Sequence, residues 1–282
     1  MADIKASDVK TLREKTGAGM MDCRNALEKA NGDFAQAEKL LKEMGLAAVG
    51  KRMDRATNEG KVFLKVSGNK AAIVELSCET DFVARNDDFI KLGKDMAELV
   101  LAKNITAIND ELTGKVTELA SKIRENMSLK RLTLVTAGAD ECVHEYLHGD
   151  KIGVIVKFKS TDPKAFENAE VKAFIHDVAL HIAAFSPAFL DRSKVSADYL
   201  KEQEEIFLKQ MEKDEKMAGK PANVLQGIVK GKMNKLLSDI CLVDQGFVKD
   251  EKQTVGAFMA SVGKAAGTTL QIVDYIYYRV GA

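Results

Sequence analysis

The sequence predicts an α+β chain: a small helical module, then a core of two related halves, each a β-hairpin with a helix on one face. Three observations predict it. Apolar residues recur at helical spacing through the first fifty positions, then at every second position from Lys61, and this switch returns about eighty residues further on. The chain is 282 residues long, enough for roughly two domains with a proper core.

In the first module, Ser7 is placed to cap a helix carrying Val9, Leu12 and Arg13 that stops at Thr16-Gly17. "GAGMM" turns the chain into Asp22, a second expected cap, ahead of Ala26, Leu27 and Ala30. Asp33 caps a third helix with Phe34, Ala37, Leu40 and Leu41 on one face, expected to end at Met44-Gly45. The charged stretch "LAAVGKRMDRATNEG" then reads as a linker.

Val62, Leu64 and Val66 alternate, "SGNK" makes a turn, and Ala72, Val74, Leu76 and Cys78 alternate on the return strand. That strand runs into "CETDFVARND", a connector to a helix capped by Asp87 or Asp88 and carrying Phe89, Leu92, Met96 and Leu99 or Val100. Phe82 and Val83 are unusual in so polar a connector. A plug beneath the helix and an exposed contact residue explain Phe82 equally well.

Glu111 to Met127 reads as a helix, followed by the strand "RLTLV". The second half repeats the hairpin, with Gly149-Asp150-Lys151 at its turn, Ile152, Val154 and Val156 on the return strand, and a helix through Val171, Phe174, Val178 and Ile182. After Pro187 come two helices separated by Gly219-Lys220-Pro221; the second is amphipathic through Leu225, Ile228, Val229, Met233, Leu236 and Leu237. Such a helical hairpin serves self-association or partner contact, or else is an ordinary packed pair. A helix from about Val255 to Ala265 and a strand from Leu270 to Val280 complete the second half.

Composition excludes several classes. Lys plus Arg equals Asp plus Glu, 42 each, so no global field draws the chain to nucleic acid or an anionic membrane. The start lacks an apolar signal segment, and no apolar run nears the ~20 residues of a membrane span, so a cytoplasmic protein is expected. Cys23, Cys78, Cys142 and Cys241 lie far apart and read as free, mostly buried thiols. "GLAAVGKR" approaches the phosphate-loop pattern but places Arg52 where a hydroxyl must bind magnesium, and it follows a helix instead of a strand. His144 and His148 lie in a strand and turn where they would not converge, while His176 and His181 diverge around a helix. With neither a metal set nor a nucleophilic triad in view, a protein without catalytic residues or cofactors of its own is expected. Met20-Met21 adds two flexible side chains of the kind that adaptable binding surfaces use, although packing at the helix turn is the reading that the pair taken alone favours.

"LREKTGAGMMDCRNALEKANGDFAQAEKLL", "CETDFVARNDDF" and "HGDKIGVIV", in this order and spacing, resemble the bacterial elongation factor Ts family, nucleotide exchange factors of the GTPase elongation factor Tu. The resemblance implies a ubiquitin-associated-like module over residues 1–54, an N-terminal core subdomain over 55–140 and a C-terminal one over 141–282, with a coiled-coil hairpin inserted at about 188–230. It also implies that the loop of Thr80, Asp81, Phe82 and Val83 enters beside the nucleotide site of elongation factor Tu and disturbs the magnesium and phosphate contacts of GDP. Met20, Met21 and Arg24 fall at the family's contact with the nucleotide-binding domain, and His148 and Ile240 at its contact with the third domain. Gly246 stands where the family commonly has proline, which implies a looser turn. The rival reading is a ubiquitin-type adaptor, with the helical bundle as recognition unit and no exchange activity.

Overall fold

The computed structural model describes residues 4–213 and 221–282, so Gly219-Lys220 of the expected helix break lies outside the described residues. Three helices come first: α1 (Ala6–Thr16), α2 (Met20–Lys29) and α3 (Phe34–Gly50), packed around Val9, Leu12, Cys23, Ala26, Leu27 and Ala37. Gly17 ends α1 because it adopts a left-handed φ of 70° and donates its N–H to the Arg13 carbonyl. Asp33 caps α3 as the sequence predicts, accepting from the Gln36 N–H at 3.0 Å.

Two expected caps of this module do not form. α1 begins after Lys5 with Ser7 already inside it, and α2 begins after Gly19, which leaves Asp22 in the first turn with its carboxylate turned to Arg124 of the core. Nor does α3 stop at Met44-Gly45. Gly45 lies against a later helix, where a Cβ would stand 3.0 Å from the Ser121 Cβ, so this glycine serves close approach and the helix continues to Gly50. The expected linker is thus partly helix, and from Glu59 it is already strand.

Strands β1 (Glu59–Ser67) and β2 (Lys70–Cys78) pair antiparallel across a two-residue turn, with Gly68 at φ 58°. The chain then makes a four-residue helix, α4 (Asp81–Ala84), and two longer ones, α5 (Asp87–Lys103) and α6 (Asp110–Ile123), before β3 (Met127–Thr136) pairs with the free side of β2. Asn86 caps α5, accepting from the Asp88 N–H at 2.9 Å, where Asp87 or Asp88 was expected. α6 ends three residues after Ala120, at Ile123, and Met127 belongs to β3 rather than to the helix, because Arg124 at φ 68° redirects the chain.

The second half begins with β4 (Glu141–His148) and β5 (Ile152–Ser160), continues through α7 (Ala169–Phe185) and the paired helices α8 (Ala197–Glu212) and α9 (Ala222–Ile240), and then forms the small ribbon β6 (Gly246–Phe247) and β7 (Asp250–Thr254). α10 (Val255–Ala265) and β8 (Leu270–Arg279) follow, and β8 joins the second sheet in the order β4-β5-β8, as expected. The Gln245-Gly246-Phe247 turn is well anchored: Phe247 is fully buried and Gln245 bonds at both ends of its amide.

The two sheets press against each other. Val62, Ala71 and Ile73 of the first meet Ile155 and Tyr278 of the second, while Phe63, Ala72, Val74 and Leu76 face the other way onto Phe89, Met96 and Val100. β2 is therefore buried on both faces, and the alternations of β1 and β2 point to opposite sides of one sheet. Gly153 permits the close contact, since a Cβ there would lie 2.5 Å from Val62 Cγ1. One charged pair sits in this layer: Arg131 Nε donates to the buried Glu75 carboxylate at 2.6 Å, and the guanidinium lies 4.2 Å from the centre of the Tyr278 ring.

Candidate partner-binding surface

The connector after β2 is a hydrogen-bonded turn. Thr80 caps α4, its hydroxyl accepting from the Val83 N–H at 3.3 Å, and the same hydroxyl donates to Glu125 Oε1 at 2.8 Å while the Thr80 N–H donates to Oε2 at 3.0 Å. The neighbouring Asn126 N–H donates to Glu79 at 2.6 Å, and its side-chain amide donates to the carbonyls of Met53 and Arg55. Below the turn, the Cys78 thiol donates to the Thr80 carbonyl, and burial pushes its pKa up to about 12.

In a helix adjacent side chains point about 100° apart. Val83 and Ala84 consequently enter the core, Val83 being 8% exposed, while Phe82 stands 81% exposed. Asp81, half exposed, pairs with Arg85 at 2.9 Å along the outside of the turn. Phe82 is not the plug beneath its helix; Val83 fills that place.

Met20 and Met21 open α2, 44% and 65% exposed, and Arg24, one turn on, pairs with Glu28 on the helix surface. A short chain of contacts ties this helix to the Phe82 turn: Asp22 of α2 pairs with Arg124, and the next residue, Glu125, holds Thr80. His148 is exposed at the end of β4, its Nδ1 3.2 Å from the Tyr146 hydroxyl. Ile240 is half buried at the end of α9, its carbonyl accepting from the N–H groups of Ala188 and Phe189. No described contact joins these last two to the Phe82 turn.

The positioning residues Glu125 and Asn126 escape sequence reasoning, their only trace being the run of three polar residues after α6, which looks like any loop; Glu79 lies in the "CETDFVARND" connector with nothing to mark its partner. The histidines behave as predicted in one respect, since His144 does not contact His148, but His144 Nε2 does meet His176 Nδ1 at 3.1 Å. Burial, and then the neighbouring His176, lower the His144 pKa. Among the described residues no group of three or more His, Cys, Asp or Glu is placed to hold a metal ion, and no helix is long and apolar enough to cross a membrane.

This surface offers contact: a projecting aromatic ring, two methionines and exposed charges, fixed to a stiff α+β frame. Comparison with known proteins places the chain among the elongation factors of protein biosynthesis. The Elongation factor TS family profile matches residues 79–282. Elongation factor Ts of Treponema denticola is 51% identical over 280 residues, 99% of both chains. That of Treponema pallidum is 43% identical, again over 99% of each, and that of Borreliella burgdorferi 41% over 100% of each. The chain belongs to the elongation factor Ts family.

Proposed function

We propose that this chain binds elongation factor Tu in its GDP form and promotes release of GDP, so that GTP can bind. Membership of the family supports the reading, and the observation that carries it is the 81% exposed Phe82 on a turn fastened by Glu125. An aromatic ring held out in this way enters a crevice of a partner without first unfolding its own support. In the proposal Phe82 wedges beside the magnesium and phosphate site, Asp81 works at its side, and Thr80 and the buried Val83 aim the turn.

Exchange requires a difference in affinity. The factor must bind nucleotide-free elongation factor Tu more tightly than the GDP complex, and the two effects are reciprocal. A ~10⁴-fold weakening of GDP needs about 5.5 kcal/mol of differential binding. Burying one phenylalanine supplies about 1.5–3 kcal/mol. The remainder is assigned to Met20, Met21 and Arg24 on α2 and to His148 and Ile240 in the second half, which together hold the open form. The factor makes and breaks no covalent bond, and needs no metal or cofactor of its own.

Release of a fluorescent GDP from elongation factor Tu, with and without this protein, tests the proposal. The expected result is acceleration that saturates with added protein. A release rate indifferent to the protein would refute it.

A further inference from the structure

A second region carries chemistry that nucleotide exchange leaves unused. Between α1 and α3 on one side and α6 on the other lies a cleft of ≈ 860 Å³. Small-molecule sites are commonly about 300–1,000 Å³. Seven basic side chains line it against three acidic ones. Ion pairs take up two of the acids and three of the cations, Asp22 with Arg124, Glu38 with Lys15 and Arg55 with Glu79 beyond the lining, although Glu38 Oε1 is buried without a hydrogen-bond partner; Lys42 and Lys122 have no ion-pair partner among the described residues.

Arg52 is the second observation. It is only 8% exposed, its Nε donates to the Ala48 carbonyl at 2.9 Å, and its buried Nη1 has no acceptor among the described residues. Native proteins rarely leave a buried donor unanswered, least of all on a group that stays charged. Ala18, Leu41 and Met44 give the same cleft an apolar wall. Gly45, Ala48 and Arg52 all come from the stretch that fails the phosphate-loop pattern; Gly45 and Ala48 lie on α3, and Arg52 lies in the turn just after it, folded back onto the Ala48 carbonyl.

We propose that this cleft binds a phosphate-bearing small molecule, with its phosphate on Arg52 Nη1 and the lysines of the rim. A phosphate carries the charge that several cations favour and matches the guanidinium fork. Such an occupant touches α1, α3 and α6 together and so reinforces the Asp22–Arg124 link between the helical module and the core.

The test is calorimetric titration of the full chain with inorganic pyrophosphate and, separately, with ADP, at about 0.15 M salt to suppress loose surface attraction. Saturable binding of either probe is expected, weakened at least tenfold by Arg52→Gln and unchanged by Lys10→Gln, which lies outside the cleft. Equal affinities assign the site to the phosphates alone; tighter binding of ADP brings in the apolar wall. No binding of either probe, or wild-type binding by a folded Arg52→Gln, overturns the proposal. Should circular dichroism show that Arg52→Gln does not fold, the double variant Lys42→Gln/Lys122→Gln takes its place under the same criteria. The readout does not involve elongation factor Tu, so its outcome is separate from that of the exchange proposal.

Discussion

Glu125 receives two hydrogen bonds from Thr80, one from its N–H and one from its hydroxyl, and through them fixes the turn that projects Phe82. Hydrogen bonds to a charged group contribute about 1.5–3 kcal/mol. Glu125→Ala should therefore loosen residues 80–83 while the core stays folded. Amide exchange at Thr80 and Val83 should speed up, and GDP release should slow about tenfold. Unchanged amide protection in this variant would show that the turn holds itself.

Phe82 and Val83 should separate function from stability. Phe82→Ala, at an exposed position, is expected to alter the unfolding free energy by no more than about 0.5 kcal/mol. If the wedge supplies about 1.5–3 kcal/mol, its loss slows GDP release roughly 10- to 150-fold. Val83→Ala should do the opposite in thermal melting, costing about 1–2 kcal/mol of core packing. A Phe82→Ala protein with wild-type exchange would remove the wedge from the mechanism.

His181 gives the fold an acid limit. It is fully buried, its Nε2 donates to Gln245 Oε1 at 2.9 Å, and its Nδ1 accepts from the Val248 N–H at 3.2 Å, so the neutral ring is the one that fits. Burial holds its pKa below the ordinary value of 6.5. The unfolded chain takes up the proton first; the stability His181 contributes is complete above about pH 6.5 and falls as the pH drops from there toward the folded-state pKa. Urea unfolding between pH 7.5 and 5 should show a slope approaching 1.4 kcal/mol per pH unit from this group, and His181→Phe should flatten it.

Arg131 is the sole charged neighbour to which buried Glu75 is paired among the described ion pairs. Arg131→Met should destabilise the chain by about 3–5 kcal/mol, because it leaves a carboxylate between the sheets without its partner. Chemical denaturation checks this, and the double variant Glu75→Gln/Arg131→Met should recover much of the loss. A single variant as stable as the parent would mean that solvent already reaches Glu75.

Much of the architecture was legible in the sequence because period and turn chemistry are local. The hairpin turns at Gly68-Asn69 and Gly149-Asp150, the Asp33 cap and the helix Val255–Ala265 all follow from residues within a few positions of one another. What was hidden depends on distant partners. Alternation along β1 and β2 was plain, but it could not show that Val62 faces the second sheet while Val74 faces α5. Asp22 has the chemistry of a cap and is claimed by Arg124 instead; Gly45 has the look of a stop and serves contact with Ser121. In the candidate site, Phe82 stood out as an apolar residue in a polar connector. Glu125, which aims it, lies forty-five positions from its partner Thr80 with nothing local to mark it.

The protected thiols have a practical consequence. Cys78 and Cys142 are held up to about 12 and about 11 by burial and Cys241 is raised as well, so these three present no ready thiolate at neutral pH, while Cys23 is wholly enclosed and out of reach of a reagent. The molecule is a quiet background for cysteine labelling. A single Phe82→Cys substitution would let a dye be attached at the tip of the turn with the native cysteines left in place, and the moment of docking could then be timed at the very residue thought to lead it.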